Sequence, residues 1–220
     1  MSIRVIASPI FEPIDLANEL GPKGIREILE IMWIAFHDMQ NDNVNIIGYS
    51  ENQITEKWSM RLQKRWYEEN RATRLNCRLY PVVQHEDITL AKKRGQSPTI
   101  DFCFRTWDVN DRYFGAECKN LEENNDALIK RYISTGVYNY IKGRYGSSSS
   151  ESALVGYILS GSIANIVADL SSKLAKEKPE PVKNLYRDLS YDDPHFNSIH
   201  IRQIDGQNIV LHHLMFSFVA

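Results

Sequence analysis

Asp101, Glu117 and Lys119 are the residues of this 220-residue chain whose types and spacing could do chemistry. Asp101 sits within the apolar run Ile100-Asp-Phe-Cys-Phe104, which has the length and composition of a buried strand. Glu117 and Lys119 sit within a second such run, Tyr113-Phe-Gly-Ala-Glu-Cys-Lys119. Residues two apart on a strand share a face. Glu117 and Lys119 therefore project together, and Cys118 projects the other way. If the strands pair through a turn near Asp108 to Asp111, Asp101 comes alongside Glu117. A carboxylate in an apolar strand is costly unless it is paired or holds a metal. Two acids pointing together raise each other's pKa unless a cation neutralises them. Hard divalent cations take oxygen ligands, so Asp101, Glu117 and the backbone carbonyl of Cys118 would form a site for Mg2+ or Mn2+. Such an ion polarises a phosphate and helps generate hydroxide from water. Lys119 would orient the attacking water or stabilise charge developing on the phosphorus centre. This set suits phosphodiester hydrolysis better than acyl transfer. The competing reading is a surface hairpin with a Glu–Lys cross-strand pair of little energetic value. Phe102, Phe104, Phe114 and Cys118 argue against an exposed hairpin.

These strands need flanking elements to hold them. Ser50 reads as a helix N-cap, with Gln53 completing a capping box. Ile54, Trp58, Leu62 and Trp66 then recur at helical spacing, and Glu51 shares their face. Glu56 and Glu68 fall on other faces. A first-turn acid is also favoured by the helix dipole alone, so ligand and capping roles both stand for Glu51. Upstream, Gly24 to Met39 has an apolar helical stripe, and Val44 to Tyr49 is strand-like. Arg78 to Gln84 reads as a strand interrupted by Pro81. Downstream come a helix over Asn124 to Tyr140, a strand over Ala153 to Leu159 and a helix over Ser162 to Leu174. The chain closes with a hairpin of Ile199 to Arg202 and Ile209 to Phe218, turned at Asp205-Gly206. The expected architecture is α/β (α+β), with one central mixed sheet flanked by helices. A helical extension occupies 1–49 and the main body 50–220, together one compact domain.

The acid in one buried strand, the turn, and Glu117-Cys118-Lys119 in the next resemble the PD-(D/E)xK, or restriction-endonuclease-like, nuclease superfamily. The resemblance spans Ser50 to Leu159 and includes the α-β-β-β-α-β order of that core. Ile100 precedes Asp101 where the family pattern has Pro, with Pro98 close by. The resemblance implies a divalent-metal-dependent DNA endonuclease with Asp101 and Glu117 as metal ligands, Lys119 as helper and Glu51 as an added helix acid. The segments Tyr132 to Tyr145 and Ala153 to Gly161 are similar to stretches in nuclease subunits of bacterial anti-phage systems, as is the ending around Ser198 to Arg202 and Ile209 to Leu214. That similarity implies partner subunits or a homo-oligomer.

Lys92-Lys93-Arg94, just before the first acid, could grip a DNA backbone, as could His200 and Arg202 on one strand face. Arg61, Lys64 and Arg65 offer a similar cluster. A solvated surface, and for His200 a structural hydrogen bond, are the plainer readings. The tyrosines of Tyr132 to Tyr145 could stack on bases or pack the core. His212 and His213 are adjacent, cannot share a strand face and do not form a metal pair. The glycines form neither a P-loop nor a dinucleotide fingerprint. The net charge is −2 and gives no global signal for nucleic acid. Cys77, Cys103 and Cys118 form no disulfide or zinc pattern, which fits a reducing compartment. The start lacks a secretory leader's apolar segment, and no apolar run approaches a membrane span, so a cytoplasmic protein without membrane contact is expected. A second class remains open: a catalytically silent nuclease-fold subunit that docks a sensor or ATPase partner through Ile31, Met32, Trp33 and Phe36.

Overall fold

The computed structural model describes residues 15–69, 78–86, 98–107 and 112–219. Helix α1 (Leu16–Asn41) starts from an Asp15 cap, whose carboxylate accepts from the Asn18 amide. The helix breaks at Gly21 (φ 68°, ψ 173°) and restarts at Pro22. A proline in a first turn loses no hydrogen bond, because that N–H has no intrahelical partner. The apolar stripe from Ile25 to Met39 is buried as its spacing requires. Helix α2 (Glu51–Glu69) starts from the expected capping box: the Gln53 amide donates to Ser50 Oγ, and the Ser50 amide donates to Gln53 Oε1. Between the two helices, residues 44–49 form a turn rather than a strand. Tyr49 N donates to Ile46 O and Ile47 N to Asn45 Oδ1, so local bonds take the groups a neighbouring strand would need.

The chain has an α+β fold built on one seven-stranded mixed sheet, in the order β1-β2-β3-β4-β7-β6-β5. Strands β1 (Leu79–Glu86), β2 (Thr99–Thr106) and β3 (Tyr113–Glu122) form an antiparallel meander. A helical crossover of α3 (Asp126–Arg131), a π-helical turn (Tyr132–Val137) and α4 (Tyr138–Ile141) leads to β4 (Glu151–Ser160), parallel to β3. Strand β4 in turn lies parallel to β7 (Asn208–Ser217). Helix α5 (Ile163–Leu174), capped by Ser162, precedes β5 (Lys183–Arg187) and β6 (His195–Ile201). The β6–β7 hairpin turns near Gly206, whose φ of 70° suits glycine. The helix-strand-strand-strand-helix-strand order over 51–160 is the expected one. Strand β5 was not expected; it is short, polar and at the sheet edge.

Each sheet face carries its own apolar core. Helices α1 and α2 cover one face with Trp33, Phe36, Trp58 and Trp66 against Phe102, Phe104, Phe114 and Phe216. The α3–α4 crossover and α5 cover the other with Tyr132, Tyr140, Ile166 and Leu170 against Leu121, Leu154 and Met215. Strands covered on both faces read as continuous apolar runs, which is why β3 and β4 were legible. Helix α1 shares its core with β7, so the face proposed to dock a partner is packed on the protein itself.

Candidate active site

Period-two alternation places Cys118 in the α1–α2 core and turns Glu117 and Lys119 to the opposite face of β3, as the sequence indicates. Both side chains are buried: Lys119 is 5% exposed and Glu117 6%. The β2–β3 register pairs Phe102 with Ala116, which brings Asp101 to the level of Glu117. Asp101 Oδ2 accepts the Cys118 amide at 2.8 Å. The rung between Gln84 and Asp101 is missing from an otherwise regular β1–β2 ladder, and Gln84 has a φ of 51°. The irregularity in β1 therefore falls opposite the acid.

Helix α2 delivers Glu51 from the side. Its Oε2 accepts the Asn120 amide at 2.9 Å, and Arg131 Nη2 donates to its Oε1 at 2.9 Å. Lys119 Nζ lies among the acids. It donates to Glu117 Oε1 at 2.6 Å, to the Cys118 carbonyl at 2.7 Å and to Glu51 Oε1 at 3.5 Å. Asp101 Oδ2 stands 3.7 Å away. Glu51 is thus a member of the cluster and not only a first-turn acid.

Three carboxylates share this space with the ammonium of Lys119 and the guanidinium of Arg131. Burial disfavours the ammonium, but Glu117, Asp101 and Glu51 outweigh it and hold Lys119 protonated above its usual range. Burial first and Asp101 second push the Glu117 carboxyl up to about 7, against the pull of Lys119. Burial likewise raises Asp101, opposed by Lys119 and the Cys118 amide. The two directions are compatible: one ammonium among several acids is favoured, while the most buried acid resists ionising. Burial also pushes the Cys118 thiol up, so it is not a nucleophile.

The second oxygen of Glu117, Oε2, is buried and has no hydrogen-bond partner among the described residues. Among the described residues no group of three or more His, Cys, Asp or Glu side chains is placed to hold a metal ion. Mg2+ is commonly held by one or two carboxylates and keeps several waters. An orphaned Glu117 oxygen near Asp101, with the second lone pair of the Cys118 carbonyl, fits that kind of open site. An open depression of about 360 Å³ runs from Asp101 past Val83 and Gln84 to Asn52, Thr55 and Glu56.

The π-helical turn positions the remaining wall. A Cβ at Gly136 would stand 2.5 Å from Leu154 Cδ2 and 3.9 Å from Lys119 Cγ. Glycine there lets the crossover lie against β4 beside the lysine stem. Single π turns inside helices recur at functional sites. Sequence spacing did not single out Arg131 or Asn120. Arg131 carries no motif signal, and it joins the cluster only through the placement of the crossover.

The proposed DNA-gripping residues fare differently. Lys92, Lys93 and Arg94 lie outside the described residues, as do Cys77 and the turn Asp108 to Asp111. His200 and Arg202 do not face a DNA groove: both are buried. His200 Nε2 bonds Ser198 Oγ, itself bonded to His213, which reaches the Tyr132 hydroxyl. Arg202 Nη1 donates to the carbonyls of Gly146, Ser147 and Ser149, and Nη2 pairs with Asp205 at 2.7 Å. The β6–β7 hairpin folds these polar groups inward to satisfy a loop's carbonyls. Arg61 and Arg65 pair with Asp42 and Asp38 on α1 and its end. Tyr132, Tyr140 and Tyr145 are buried in the core. His212 and His213 point to opposite faces, His212 toward Glu151 and His195.

Cys103 and Cys118 are free thiols, and no described helix is long and apolar enough to cross a membrane. Comparison with protein-family models, curated proteins and solved structures finds no match for this chain.

Proposed function

We propose that this protein is a divalent-metal-dependent DNA endonuclease of the PD-(D/E)xK type, hydrolysing phosphodiester bonds with Asp101, Glu117, Lys119 and Glu51. One observation carries the reading: three carboxylates from two strands and a helix converge on Lys119, with Glu117 Oε2 buried and unpartnered. A structural ion pair needs one acid per cation, and an orphaned buried carboxylate oxygen destabilises it.

Asp101, Glu117 and the Cys118 carbonyl would hold Mg2+ or Mn2+. When bound, the ion supplies charge stabilisation at the phosphorus centre and a more acidic water. Glu51 holds Lys119 from the helix side and is itself held by the Asn120 amide. Lys119 would serve the attacking water or the developing negative charge only by releasing one of its present acceptors, the 3.5 Å contact to Glu51 being the longest. The chemistry is an in-line displacement: water attacks phosphorus, the P–O bond to the leaving oxygen breaks, and a proton passes to the leaving group.

The resemblance to anti-phage nuclease subunits extends the proposal to an effector in a multi-subunit cytoplasmic complex. The competing silent docking subunit loses its named surface, since Met32, Trp33 and Phe36 lie in the protein's own core.

Purified full-length chain should nick or degrade plasmid DNA with Mg2+ or Mn2+ and stop on EDTA addition. Asp101→Ala and Lys119→Ala should lose the activity. Equal cutting by both variants would overturn this mechanism, and a wild-type chain inert across metals and DNA forms would favour the silent subunit.

A further inference from the structure

A substrate phosphate needs a fixed cation with donors free to receive it. A phosphodiester is an anion, and the two side-chain cations beside Asp101, Glu117 and Glu51 are Lys119 and Arg131. Lys119 cannot meet it freely. An ammonium has three N–H donors, and those of Lys119 already face Glu117, the Cys118 carbonyl and Glu51. Its side chain is also buried.

Arg131 differs on each point. Its side chain is half exposed, at 52%. One nitrogen, Nη2, reaches Glu51, while Nε and Nη1 make no hydrogen bond among the described residues. A guanidinium presents its donors as a planar fork that matches two phosphate oxygens. The residue stands where α3 passes into the π-helical turn, and its carbonyl accepts the Thr135 hydroxyl at 2.8 Å. Glu51 therefore aims the fork from the mouth of the cluster, with its other edge in solvent. Among the described residues, Arg61 and Arg65 are engaged on acids of α1 and its end, and Arg202 on loop carbonyls.

We propose that Arg131 is a substrate-binding residue, which grips a phosphate of the nucleic-acid backbone at the site's mouth while Glu51 holds it in place. This rests on the nuclease reading and adds the cation that brings an anionic substrate to an acidic centre. The alternative is that Arg131 only braces Glu51.

The test compares full-length wild type, Arg131→Gln and Arg131→Lys. Binding of a labelled DNA duplex is measured by fluorescence anisotropy in EDTA across a salt series, and cleavage kinetics are measured with Mg2+. Arg131→Gln should weaken binding and raise KM by about tenfold, the loss of one charged hydrogen bond. The loss should fall mainly on Kd and KM, with a smaller fall in kcat because Arg131 also holds Glu51. The slope of log Kd against log salt should shrink by about one. Arg131→Lys should restore the slope, because charge sets it, and regain only part of the affinity, because the fork is gone. A loss confined to kcat, with Kd and salt slope unchanged in both variants, would overturn the proposal and leave Arg131 as a brace for Glu51. Wild type that binds DNA without cutting it, while Arg131→Gln loses the salt slope, would sink the catalytic reading and keep the phosphate grip. Wild type that neither binds nor cuts would overturn both.

Discussion

Glu117→Gln should make the fold more stable at pH 8 and change it little at pH 5. The Glu117 carboxyl is almost wholly buried, with one oxygen on Lys119 and the other unpartnered. Burial and Asp101 push its pKa from 4.5 to about 7. In the unfolded chain the group loses its proton above pH 4.5. In the fold it keeps the proton up to about 7. Between those values the unfolded state binds fewer protons, so stability falls as pH rises through the window, and the loss is complete above it. One pKa unit corresponds to about 1.4 kcal/mol, which sets the loss at pH 8 on the order of 3 kcal/mol. At pH 5 it is under about 1 kcal/mol. Glutamine keeps the shape and the acceptor for Lys119 and has no charge to desolvate, while Asp101 and Glu51 still face the ammonium. Urea denaturation of wild type and variant at both pH values measures the difference directly. On the proposed function the variant also stops cutting DNA, and Mg2+ stabilises wild type more than the variant. A variant no more stable than wild type at pH 8, or stabilised equally at both pH values, would refute the argument that Glu117 carries a buried, unfavourable charge.

The buried histidines push in the opposite direction at lower pH. Burial lowers His195 to about 3 and His200 to about 4, and holds His213 well below its usual range. The unfolded chain takes up protons below about 6.5, so stability is retained above that value and lost as pH falls. His200 alone accounts for about 2 kcal/mol by pH 5, and denaturant midpoints at pH 6.5 and pH 5 give the comparison. Lys119→Ala leaves buried acids without their cation and should destabilise by about 3–5 kcal/mol at pH 8; less than additive loss in the Lys119→Ala, Glu117→Gln double variant would confirm that the two share one cluster. Arg202→Ala strips three carbonyls of their donor and should cost about 2–4 kcal/mol in thermal or chemical melts. Its DNA affinity per folded molecule should match wild type, and a clear drop in salt slope would restore Arg202 as a DNA contact. Gly136→Ala pushes a methyl against Leu154, so a loss of about 1–3 kcal/mol is expected, with a melt as the check.

Much of the site was written in local periodicity. The two-residue repeat of β3 is enough to set Glu117 and Lys119 on one face and Cys118 on the other, whatever the rest of the fold does. The 3.6-residue repeat of α2 likewise turns Glu51 inward with Ile54, Trp58 and Leu62, and the Ser50–Gln53 pair marks where that helix starts. Continuous apolar runs identified β2, β3 and β4 because both of their faces are covered. Local signals failed where the neighbour decides. Val44 to Tyr49 has a strand's composition, but its polar groups close on one another. Strand β5 is polar and short, and it exists because β6 offers it an edge.

By itself, then, the amino-acid order determines which side chains share a face, where the helices begin and which runs must be buried, because these follow from the geometry of a single element. Only the tertiary structure decided which faces meet. It set Glu51 against Lys119 across 68 residues of chain, brought Arg131 to the mouth of the site through the π turn and Gly136, and turned His200 and Arg202 inward. Those outcomes depend on the packing of helices on a sheet, where ångström-scale approaches are settled jointly by many distant residues and no single stretch of sequence records them.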